Sequence, residues 1–131
     1  MQLALEHLLR GPVLHDGTQG LSRKDAYCKK WMLAYKAKRR GDTAVLKRLL
    51  KELTAGFVAV TDMPPIDFIP EFMEIYPEAK VVLTTRDPER YLENIKPVAA
   101  NSSQAWLPYM MWPIPGWGWF PALSLEFGKS T

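Results

Sequence analysis

The sequence predicts an α/β fold, a short parallel sheet flanked by helices and followed by an irregular segment rich in tryptophan and proline. Three observations carry this expectation. The runs FVAV (57–60) and KVVLTT (80–85) are short and rich in β-branched side chains, which suits strands covered on both faces better than helices. Between them Phe68, Ile69, Phe72, Met73 and Tyr76 recur at helical spacing. Strand, helix and strand with short joints form a βαβ unit, which implies parallel strands and a right-handed crossover.

The elements follow in order. Met1, Leu5, Leu8 and Leu9 share a helix face, and Gly11-Pro12 ends that helix. Pro12 to His15 is the first strand. Ser22, with Asp25 three residues on and Leu21 before it, has the pattern of a capping box. Tyr27, Trp31, Ala34 and Tyr35 keep the helical spacing up to Gly41. A second helix from about Thr43 sets Leu46, Leu49, Leu50 and Leu53 on one face and Lys47, Arg48 and Lys51 on the other. Residues 21–53 thus read as a basic helical hairpin. The second strand occupies 57–61 and stops at Thr61-Asp62-Met63-Pro64-Pro65. Pro70 belongs in the first turn of the next helix, or kinks it, and Pro77 ends it. The third strand, 80–85, runs into Arg86-Asp87-Pro88, where Pro88 presets the first turn of another helix.

At 131 residues there is room for one domain. An apolar fraction of 47% with 24% charged residues argues against wholesale disorder. The net charge of +3 conceals an asymmetry, since residues 21–53 carry eleven Lys/Arg against three Asp/Glu while the remainder is acidic. That run reads as solvated helix faces or as a surface for an anionic partner. It lacks the aromatic interleaving that stacks bases, so no nucleic acid is expected as a partner. Cys28 stands alone and forms no internal disulfide, and MQLALEHLLRG has no basic leader, so a cytoplasmic location is expected. The stretch from Pro97 to Leu125 has no charged residue, but Pro108, Pro113, Pro115 and Pro121 argue against a membrane span. Four of the five tryptophans fall in 97–131, which suits an apolar cover over the core, a pocket wall, or a patch for a partner or membrane surface.

Arg86 stands out chemically. A guanidinium at the carboxyl end of a strand, just before a helix N-terminus, suits a bidentate grip on phosphate or sulfate; the alternative is a salt bridge to a neighbouring carboxylate. Asp62 closes the second strand, as a general base or as the cap of a turn. His15 ends the first strand and is a second candidate base or substrate contact. Two histidines and one cysteine have no ligand spacing, so no metal site is expected. No nucleophile elbow is present either.

The stretch VTDMPPIDFIPEFMEIYPEAKVVLTTRDPERYLENIK resembles the middle of the sulfotransferase superfamily, in particular its fungal and bacterial sulfotransferase-like members. LALEHLL, GPVLH and the Trp/Pro segment fit the same subfamily more loosely across 1–131. The resemblance implies a partial three-layer P-loop-type fold and sulfuryl transfer from 3′-phosphoadenosine 5′-phosphosulfate to a hydroxyl or amine. It implies that Arg86 holds the donor's 3′-phosphate, together with a serine eight residues on. Here that position is Asn94, whose amide can still donate. It also implies that Asp62 serves the acceptor as base, with His15 kept as the other candidate.

In that family a loop of the type Gly-x-x-Arg-Thr-Gly-Thr cradles the transferring group and leads into the helix found here at 2–10. No glycine precedes Gly11, so the chain is expected to be the central part of a longer domain, inactive in this form. The strand carrying that loop lies, in the family's sheet order, between 57–61 and 80–85. Without it the expectation is a gap, closed up, left as a bare edge, or filled by a second copy or a complementing chain. The competing expectation is a non-catalytic interaction module built on the Trp/Pro segment and the basic hairpin.

Overall fold

The computed structural model describes residues 2–15, 24–102, 104–114, 118–119, 121–123 and 125–126. Helix α1 (Gln2–Leu9) leads into strand β1 (Val13–His15), the hairpin of α2 (Lys24–Arg40) and α3 (Thr43–Thr54), and strand β2 (Ala59–Thr61). A 3-10 turn (Pro65–Phe68) runs into α4 (Ile69–Ile75), and α5 (Pro88–Ser102) and α6 (Leu107–Met111) follow. The capping-box residues Leu21 and Ser22 lie outside the described residues.

The sheet has two parallel strands, with Val13 opposite Ala59, Leu14 opposite Val60 and His15 opposite Thr61. Successive side chains of a strand point to opposite faces. Leu14 joins the main core, and Val13, equally buried, lies on the other face, where α1 packs on β1. The outer edge of β1 is occupied by α1: Val13 N donates to Glu6 Oε1 (3.3 Å), and Gln2 Nε2 reaches Val13 O (3.5 Å). Polar side chains thus meet the outward N–H and C=O of Val13, groups that could otherwise recruit another strand.

The core is built by the hairpin. Tyr27, Trp31, Ala34 and Tyr35 of α2 and Leu46, Leu49, Leu50 and Leu53 of α3 are buried as their spacing predicts, and Phe68 and Phe72 close the cluster. Gly41, at φ +70°, makes the turn, and Asp42 caps α3 by accepting from Val45 N (3.1 Å). The end of α1 differs from expectation. Arg10, not Gly11, takes the left-handed conformation (φ 51°), and the apolar residues Leu8 and Leu9 face solvent. Gly11 answers a different demand, close approach, because a Cβ there would stand 2.6 Å from Val58 Cγ1.

Two expectations are corrected. Residues 80–85 form no strand: the segment has no regular secondary structure, no described strand pairs with it, and Val81, Val82 and Leu83 are exposed. The physical reason is the lack of a neighbour, since a strand is defined by its ladder and the described sheet ends at β2. Nor is 97–131 wholly irregular. The helix begun at Pro88 continues past Pro97 to Ser102, and α6 follows. Proline removes one donor and crowds the preceding turn, and here the helix continues through it.

Candidate functional site

Parallel pairing brings the carboxyl ends of both strands to one rim. His15 and Thr61 are ladder partners, so Asp62, the next residue, falls beside the imidazole. His15 Nε2 and Asp62 Oδ2 are 3.6 Å apart, and their side chains are 33% and 47% exposed. That separation is too long for a hydrogen bond but within ion-pair reach once the imidazole is protonated. A single hydroxyl at about 2.8 Å from each could contact both.

The backbone explains how Asp62 is aimed. It sits at φ +70°, a left-handed conformation that aspartate tolerates better than most residues, and a cis Met63-Pro64 peptide follows. The turn into the 3-10 segment is closed by main chain, with Ile66 N donating to Asp62 O (3.2 Å), and no side chain caps that segment. The Asp62 carboxylate is thus not consumed as a cap there. Thr61 Oγ1 donates to Leu14 O (3.2 Å), which ties the two strand ends together.

Arg86 stands immediately before Asp87, whose Oδ1 accepts from Arg90 N (2.9 Å) at the start of α5. Arg86 is exposed and makes no hydrogen bond or ion pair with a described residue. Its guanidinium is therefore available to an anion beside a helix N-terminus. Asn94 is turned onto its own helix, its Nδ2 donating to Arg90 O (2.8 Å). Neither residue is bonded to His15 or Asp62.

Four cations of the basic hairpin are paired. Lys30 pairs with Glu52 (3.0 Å), Lys38 with Glu71 (2.9 Å), Lys47 with Glu74 (2.7 Å), and Arg39 with Glu126. Tyr35 OH, deep in the core, donates to Asp67 Oδ2 (2.7 Å). Sequence reading gave no sign of these bonds, because the partners are tens of residues apart and no local spacing encodes them. A cavity of about 150 Å³ lies between the hairpin turn and α4, bordered by Lys38, Lys47, Glu71 and Glu74, away from the strand rim. Among the described residues no group of three or more His, Cys, Asp and Glu is placed to hold a metal ion, and no helix is long and apolar enough to cross a membrane.

A curated relative, Ava biosynthesis cluster protein M of Aspergillus versicolor, is 32% identical over 71 residues, 53% of this chain and 27% of the relative. The chain thus matches about a quarter of that protein's length. No solved structure matches. The family model described as "Sulfotransferase domain" matches residues 1–129, nearly the whole chain, with the strand rim and Arg86 inside the match. The chain belongs to the sulfotransferase domain family.

Proposed function

We propose that these residues form the acceptor side and part of the donor side of a sulfuryl-transfer site. The His15–Asp62 pair carries the reading: two groups able to exchange a proton, 3.6 Å apart and accessible, at the carboxyl rim of a parallel sheet in a sulfotransferase-family chain. Ligands of open α/β sheets bind at that rim. The pair takes the proton of the acceptor's hydroxyl or amine as that atom becomes the nucleophile. The donor, 3′-phosphoadenosine 5′-phosphosulfate, supplies the activated sulfuryl group. Arg86 fits its 3′-phosphate, being exposed, unpaired among the described residues and adjacent to the start of α5.

Transfer further requires a run of backbone amides around the moving charge. The 131 residues contain no Gly-x-x-Arg-Thr-Gly-Thr loop. The reading is therefore weak nucleotide binding by this chain, and turnover only in a form that carries such a loop. Calorimetric titration with 3′-phosphoadenosine 5′-phosphate tests the donor half. Arg86→Ala is expected to weaken binding by about tenfold or more, the scale of a lost charged hydrogen bond. Equal heats for both proteins overturn the assignment. In a loop-bearing form, Asp62→Asn is expected to lower kcat by roughly 10²- to 10⁴-fold at unchanged donor affinity. A second reading, a non-catalytic interaction module, is favoured by one observation, the exposure of Trp106, Tyr109 and Trp112.

A further inference from the structure

We propose that the face where α2 meets the Trp/Pro segment docks on an anionic lipid bilayer. This does not depend on sulfuryl transfer. Lys29, Leu33, Lys36 and Arg40 recur at intervals of four, three and four along α2 and so form one stripe. All four are exposed, Leu33 by half. Unlike Lys30, Lys38 and Arg39, the cations Lys29, Lys36 and Arg40 make no ion pair with a described residue.

The aromatic segment is fastened beside this stripe. Lys29 Nζ lies 5.0 Å above the Trp119 ring, and Leu123 is buried in the core. A Cβ on Gly118 would stand 3.2 Å from Trp112 O, so Trp112 lies against the residue preceding Trp119. Trp112 and Tyr109 are nevertheless each 82% exposed, and Met110 63%. No charged residue interrupts 97–125.

Exposed tryptophan and tyrosine without charge, edged by unpaired lysine and arginine, match the layering of a membrane interface: rings at headgroup level, cations against anionic lipid. A second copy fits less well. A two-fold interface through this face would set the cations Lys29, Lys36 and Arg40 of one copy against the cations of the other.

Co-sedimentation of the chain with vesicles, read alongside tryptophan fluorescence, tests the proposal. Binding with a blue shift is expected on phosphatidylcholine mixed with phosphatidylserine, falling with added salt, and much weaker on phosphatidylcholine alone. Lys36→Gln with Arg40→Gln should lower partitioning roughly thirtyfold, about a factor of five per cation. Trp112→Ser should lower it about tenfold and reduce the blue shift. Unchanged circular dichroism in these surface variants separates lost docking from lost fold. Equal partitioning on both vesicle types, or no partitioning, overturns the proposal. So does light scattering that shows a dimer abolished by Trp112→Ser with no vesicle binding.

Discussion

In α3 the leucines at 46, 49, 50 and 53 are all buried, whereas in α5 Tyr91, Leu92 and Val98 stay exposed and Ile95 is only half-covered. Both helices have an apolar stripe. The difference lies in what each stripe meets: α3 packs on α2 and α4, while no described side chain of α5 is buried. The two valine- and leucine-bearing segments 13–14 and 82–83 contrast in the same way. Val13 and Leu14 are covered on both faces, and Val82 and Leu83 on neither. Periodicity selects the local conformation, but burial needs a second surface, and most helical stability comes from that packing.

Trp31→Ala should have the largest effect on this comparison, costing about 3–5 kcal/mol by leaving a cavity among Tyr27, Tyr35 and Phe68. The Trp31 indole N–H is itself buried without a partner. Trp31→Phe keeps a six-membered aromatic ring, removes the orphaned donor and leaves a smaller void, so it should cost clearly less than Trp31→Ala. Thermal and denaturant melts read both. Gly11→Ala comes next, at about 1 kcal/mol from the contact with Val58, and the loss should shrink in a Val58→Ala background. Leu83→Ser should shift stability by no more than about 0.5 kcal/mol, as an exposed site does. A loss as large as that of Trp31→Ala would break the comparison, because it would mean the 80–85 segment is packed.

The sequence was most legible where a pattern and its partner both lie within a few dozen residues. The stripes of α2 and α3, the turn at Gly41, the first two strands and the start of α5 at Pro88 follow from spacing and turn chemistry. The third strand misled because KVVLTT has strand composition while a ladder depends on a neighbour. At the candidate site, Asp62 and His15 stood out separately as residues ending strands. Their meeting could not be read from the chain, because it follows from register, a relation between segments 47 residues apart. The place of Arg86 just before α5 was legible through its Asp-Pro neighbours. That Asn94 bonds back to Arg90 was not, since a side-chain rotamer leaves no trace in spacing.

The ladder that pairs His15 with Thr61 sets where Asp62 falls relative to the imidazole. In a strand of period two, sliding β2 by a single residue would carry Asp62 away and rotate its neighbours to the opposite face. Thr61 Oγ1, which donates to Leu14 O across the two strands, ties down that same register. Losing that tie, as in Thr61→Val, should disturb the spacing of His15 and Asp62 before it unfolds the chain.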